Sequence, residues 1–270
     1  MLTDDWFIAR QVCDSIWAIE DPGQVTSYLV IGRVEAVLVD TGLGIGDIAK
    51  LVFEICGALP RWVLNTHHHF DHVGGNPLFD KCYMLPAEAS AIPRSWPTDM
   101  FQRYVSKPAR FSRPLPPLFA RENYYVEPPK GFHALKDCMV FDLGRVSIEV
   151  IATPGHTPGS ASFLVHPGGC LLSGDFLMEG TLHLQYPYSD LDAYIASCER
   201  IAIRLSEISS ILPSHYRSPI PGNSLVGETH KALTAIIDGK IEPKSVASYW
   251  GMLSEFVYSQ RLSVWLPGNA

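Results

Sequence analysis

The chain has 270 residues, 47% of them hydrophobic and 18% charged, with a formal net charge of −7. That composition supplies a sizeable buried core and excludes low-complexity disorder, and the acidic balance argues against bulk binding to nucleic acid or anionic lipid. No run approaches the roughly 18–20 uninterrupted apolar residues of a membrane span. The opening residues MLTDDWFIARQ carry acids where a secretory leader would carry bases. Six cysteines without a Cys-x-x-Cys pair are expected as reduced thiols in a cytoplasmic protein.

Along the chain, SIWAIED and SYLVIG read as strands, and EAVLVDTG as a buried strand ending at Asp40. Ile48, Leu51, Val52 and Ile55 share one helical face, with Asp47 at the start and Gly57 at the end. WVLNT is a short buried strand that runs directly into THHHFDH. From Pro86 to Lys130 the pattern breaks: nine of the 21 prolines fall here among abundant aromatics, which predicts an irregular but ordered insertion. Strands resume in MVFDLGRVSIEVIATPGH, ASFLVH and CLLSGD, followed by a helix from Leu191, the strand SSILPSH and a helix from about Leu225. The aromatic tail with Tyr249, Trp250, Phe256, Tyr258 and Trp265 is expected to be helical.

Four histidines and an aspartate within seven residues (His67, His68, His69, Asp71, His72) demand a chemical explanation. In extended chain, alternate residues point the same way, so His67 and His69 can converge on one cation while His68 points elsewhere. After a turn, Asp71 and His72 can reach a second cation. Imidazole and carboxylate suit zinc first, with iron or manganese as alternatives. The missing ligands have candidates at other strand ends: His156 in TPGHTPGS, Asp175 after CLLSG and His215 after SSILPS. This assigns His67, His69 and His156 to one divalent ion, and Asp71, His72 and His215 to a second, with Asp175 shared.

THHHFDHVGG, TPGHTPGS, LSGD and PSHY, with VLVDTG upstream, together resemble the metallo-β-lactamase superfamily of metal-dependent hydrolases over about residues 10–240. The resemblance implies an α/β fold: a four-layer αββα sandwich of two facing mixed β-sheets with helices outside. Residues 1–240 would form that domain, with 86–130 as a lid and 241–270 as a tail packed upon it. It also implies that Asp40 supports the loop carrying the ligands. The seven-ligand set is closer to the glyoxalase II and lactonase branch than to the β-lactamases proper. This chain departs from glyoxalase II at Ser160, where those enzymes carry histidine, and in its apolar rather than basic tail.

The implied reaction is attack by a metal-bridging hydroxide on an ester, thioester, lactone or related bond, with Asp71 orienting the water. A bound metal lowers the pKa of water from 15.7 to about 7. The alternatives are a mononuclear-iron persulfide dioxygenase and a phosphodiesterase or nuclease of the same superfamily. The insertion holds seven bases against four acids and is rich in aromatics, which favours a small molecule that is anionic or partly apolar. His183, Tyr186 and Tyr188 are the candidate substrate contacts, and the tail or lid is a candidate homodimer face.

Overall fold

The computed structural model describes residues 2, 3, 5–248 and 251–268. Eight strands form one sheet in chain order: β1 (Leu2–Thr3), β2 (Ile8–Cys13), β3 (Ile16–Asp21), β4 (Val25–Ile31), β5 (Ala36–Val39), β6 (Trp62–Leu64), β7 (Cys82–Met84) and β8 (His133–Ala134). The first five pair antiparallel and the last four parallel, so the sheet is mixed. The second sheet is built from β9 (Val140–Asp142), β10 (Ser147–Ala152), β11 (Ala161–His166) and β12 (Cys170–Gly174). Beyond a strand β13 (Gly180–His183) that leaves this sheet, it is completed by β14 (Ser210–Pro213) and β15 (Ile220–Pro221).

The two sheets face each other across one apolar layer in which Ile16, Tyr28 and Val37 meet Ile148, Phe163 and Leu172. Helix α1 (Ile48–Cys56) covers the outside of the first sheet, and α4 (Leu191–Ala202) with α5 (Ser224–Ile237) covers the second. Between them in sequence lie the single turn α2 (Phe70–Val73) and, inside the proline-rich insertion, α3 (Thr98–Val105). The αββα arrangement expected from the sequence is therefore the arrangement found. β4 shows the cost of a middle position: six of its seven residues, VTSYLVI, are buried because both of its faces are covered. Helix α1 begins where Asp47 accepts the Lys50 N–H at 2.9 Å, and it ends at Gly57 in the left-handed region.

Direction places the functional ends together. β10 and β12 are each antiparallel to β11 and β14 is parallel to β12, so the three run the same way and finish at one edge. Across the gap, β5 and β6 are also parallel to each other. Backbone bonds from Ala161 N to Thr66 O (2.9 Å) and from Thr26 N to Ser214 O (2.8 Å) join the sheets at this edge.

The tail corrects one expectation. Instead of a helix, β16 (Lys244–Ser248), β17 (Gly251–Val257) and β18 (Leu262–Pro267) form an antiparallel meander, and β18 pairs in parallel with β13. The decisive period is two: Leu262 and Val264 are buried against the α4–α5 layer, while Ser263 and Trp265 lie on the other face. Tyr249 and Trp250, named in the helical expectation, lie outside the described residues. Rings of the insertion pack on the first sheet: Phe101, Phe111 and Tyr124 are buried there. All six cysteines are free thiols. Among the described residues no helix is long and apolar enough to cross a membrane.

Candidate metal centre

All seven residues singled out in the sequence arrive at one edge. His67, His69, His156 and Asp175 offer ligand atoms that all lie within 4.8 Å of one another, and Asp71, His72 and His215 form a second such group. Asp175 joins the two: its Oδ2 lies 3.5 Å from His156 Nε2, and its Oδ1 lies 3.3 Å from both His72 Nε2 and His215 Nε2. Asp71 Oδ2 is 3.5 Å from His215 Nε2. Asp175 can stand here because Gly174 turns in the left-handed region (φ +56°), and a Cβ at that glycine would come within 2.8 Å of the Thr66 Cβ.

The far side of each ring is tied down. Asp40, itself at φ +59°, accepts from His72 Nδ1 and from the Thr66 hydroxyl through Oδ2, and from the Thr66 N–H through Oδ1, each at 2.8 Å. His156 Nδ1 donates to His183 O at 2.6 Å, and His215 Nδ1 donates to Gln24 O at 2.7 Å. His69 is turned over: its Nδ1 faces His156 Nε2 at 3.1 Å and its Nε2 meets the Tyr188 hydroxyl at 2.7 Å. Carbonyl and carboxylate acceptors on one nitrogen leave the other as a bare lone pair. Accordingly His67 Nε2, His72 Nε2 and Asp175 Oδ1 are buried with no hydrogen-bond partner. Buried, unpaired electron-pair donors converging from two sheets fit a cation.

Electrostatics separate the two groups. Burial, aided by the neighbouring imidazoles, holds His67 and His69 well below the ordinary histidine value, and burial lowers His156 as well. These three are neutral imidazoles, the form that ligates metal. Burial also opposes charge on His72 and His215, but Asp175 and Asp40 with Asp71 outweigh it at His72, raising it, and Asp175 with Asp71 push His215 up to about 9. Both rings thus favour a proton that a cation would have to displace. Asp175 is held well below the carboxylate range because His215 and His72 overcome its burial.

Such an edge-mounted cluster on an αββα frame has known counterparts, and the family model for the metallo-beta-lactamase superfamily matches residues 21–215. The chain belongs to the metallo-beta-lactamase superfamily. Within that superfamily it is 28% identical over 234 residues to the acyl-coenzyme A thioesterase MBLAC2 of Homo sapiens, covering 79% of this chain and 82% of the other. It is 24% identical over 213 residues to the hydroxyacylglutathione hydrolase GloC of Haemophilus influenzae, covering 76% and 85%. In fold it matches the DIM-1 metallo-beta-lactamase exposed to ceftazidime with a TM-score of 0.62 at 17% identity, over 86% of this chain and 98% of that one. The chain is a metallo-hydrolase of this superfamily.

A cavity of about 700 Å³ opens over the cluster, lined by Asp71, Asp175 and His215 on its floor and by Trp96, Met100 and Tyr104 of the insertion. His183, Tyr186 and Tyr188, the candidate substrate contacts, line it too. Their roles differ, however. Tyr188 meets His69, Tyr186 stacks on Tyr188 (centroids 5.5 Å apart, 6° between planes), and His183 supplies the carbonyl that orients His156. His68 does not reach the cluster. It is fully buried, bonded through Nδ1 to Glu88 and stacked on Trp96.

Sequence reasoning missed Glu88. Its Oε1 also accepts the His68 N–H at 2.8 Å, and its Oε2 accepts from the Thr157 hydroxyl and the Gly159 N–H, both at 2.8 Å. One carboxylate therefore joins the loop carrying His67 and His69 to the loop carrying His156. The only hint in the sequence was an acid at the start of an otherwise apolar and proline-rich run.

Proposed function

We propose that the chain is a dinuclear metal-dependent hydrolase of acyl thioesters on small-molecule thiols. The observation that carries this reading is Asp175, with one oxygen turned to each ligand group at the floor of the cavity. His67, His69 and His156 would hold one divalent cation, and Asp71, His72 and His215 the other. Two cations there would supply Lewis acidity toward the thioester carbonyl, a water of lowered pKa and stabilisation of the leaving thiolate.

The protein's own contributions follow from its contacts. Asp40, His183 O and Gln24 O orient His72, His156 and His215, so these three rings are already aimed at the site. Asp71 lies on the cavity floor beside His215, where its carboxylate can accept a proton from a water. Phe70, Trp96 and Met100 give the cavity an apolar flank that suits an acyl chain and keeps bulk water away. The named thioesterase relatives, matched over about four-fifths of this chain, support thioesters over lactams.

Metal analysis combined with a substrate panel tests the reading. Two metal ions per chain and chelator-sensitive cleavage of acyl thioesters, with slower or no cleavage of β-lactams and phosphodiesters, is the expected result. One iron per chain with oxygen uptake would sink it.

A further inference from the structure

The basic character of the insertion is spent mostly on its outside. Arg94, Arg103, Lys107, Arg121 and Lys130 are exposed, and Arg113 donates to the carbonyls of Trp6 and Phe7. Arg110 alone among the lysines and arginines of the described residues lines the cavity. Arg103 pairs with Asp99 at 2.9 Å and Lys130 with Glu127 at 3.5 Å, whereas Arg110 has no acid partner among the described residues. Its Nε is buried without a hydrogen bond. A guanidinium with a buried, unused donor is costly to keep unless something accepts from it.

Its position is held from several sides. The guanidinium carbon sits 4.4 Å over the Tyr104 ring, and that ring meets Phe70 and Phe111 edge-on. The Tyr104 hydroxyl donates to Gln24 Oε1 at 2.6 Å, and Gln24 Nε2 in turn donates to the Arg110 carbonyl. Gln24 is also the residue whose own carbonyl orients His215. Arg110 and His215 are thereby tied to the same residue, Gln24, and line the same cavity. Glu20, an acid on the same wall, is occupied by Arg10 at 3.8 Å and by the Gly23 N–H.

Building on the thioester reading, we propose that Arg110 is a specificity-determining residue that seats an anionic group, carboxylate or phosphate, borne by the thiol half of the substrate. A planar fork stacked on a ring is pre-oriented for two parallel hydrogen bonds to such an oxyanion. Glutathione would present carboxylates and coenzyme A phosphates, and both share this chemistry.

Binding of three non-hydrolysable thioethers to metal-loaded protein tests the assignment by calorimetry. The probes are S-hexyl coenzyme A, S-hexylglutathione and the neutral S-hexyl-N-acetylcysteamine, each against wild type, R110A and R110K. The expected result is that R110A weakens at least one anionic probe by tenfold or more relative to the neutral one. R110K should recover part of that loss, and the probe affected identifies the anion. An equal change for all three probes, no change, or no binding of either anionic probe to wild type overturns the assignment. Arg110-dependent binding without cleavage of the matching thioesters would instead refute the hydrolase reading and leave Arg110's role intact.

Discussion

Glu88 and His68 are paired inside the protein with no solvent contact, through both the imidazole Nδ1 and the backbone N–H of His68. His68 hydrogen-bonding holds Glu88 below the ordinary carboxylate range against its burial, so the pair is a charged acceptor bound by several donors. Because Thr157 and Gly159 bind the other oxygen, the carboxylate sets the distance between the two loops that carry His67, His69 and His156.

Glu88→Ala is therefore expected to cost about 3–5 kcal/mol of stability, the range for breaking a buried ionic hydrogen-bonded site. Glu88→Gln keeps an acceptor for the His68 N–H and should cost less. Thermal unfolding of the two variants beside wild type checks the order. If Glu88→Ala unfolds with wild-type stability, the bridge between the loops is not a support.

Asp40 offers a sharper test, because it touches a proposed ligand without being one. Asp40→Asn should keep the left-handed backbone, which asparagine tolerates, while replacing the carboxylate that binds His72 Nδ1–H and Thr66. Loss of such a supporting hydrogen bond lowers metal affinity by about 10–100-fold. Competitive chelator titration of metal-loaded protein measures it directly. Equal metal affinity in variant and wild type would mean that Asp40 only shapes the strand end.

How far the site could be read beforehand depended on whether chemistry or packing set each residue. His67 and His69 were legible because an extended chain imposes a two-residue period on anything that must converge, and Asp71 and His72 because a turn directly after them could carry both to a second cation. His156, Asp175 and His215 were legible as polar residues at the ends of apolar strands. Glu88 and Arg110 were not, since each owes its place to how the insertion folds back over the sheet edge, and Gln24 was not, since it orients His215 through a backbone carbonyl in the β3–β4 turn; no spacing records either. The tail misled for another reason: a cluster of aromatic residues suggested a helix, while the alternation of Leu262, Val264 and Leu266 carried the true period.

That C-terminal sheet reaches the site through a single strand. β18 pairs with β13 in a register that sets Trp265 beside His183, whose carbonyl orients His156. Val264, fully buried behind this pairing, is the position to perturb. Val264→Ala should cost about 1–3 kcal/mol through the cavity it leaves. It should also lower kcat for the proposed thioester cleavage under conditions where the protein remains folded. A variant that is destabilised yet turns over at the wild-type rate would confine the tail to stability.

Away from the site, Arg204 grips Glu149 with two bonds, Nη1 to Oε1 at 2.6 Å and Nη2 to Oε2 at 2.8 Å, and also bonds Glu207. Hydrogen bonds from Arg204 lower the Glu149 carboxyl below its ordinary value. A carboxyl whose folded value is depressed contributes stability above its unfolded value, here near the ordinary 4.5, and that contribution fades as pH falls toward the folded value. Glu149→Gln should therefore be less stable than wild type by about 1–2 kcal/mol at neutral pH, in line with a charge-assisted, partly buried pair. The gap should close on acidification below about pH 4.5 as wild type protonates Glu149. Chemical denaturation at a series of pH values follows both curves. A gap that stays constant down to pH 3 would show that the interaction does not depend on the carboxylate charge.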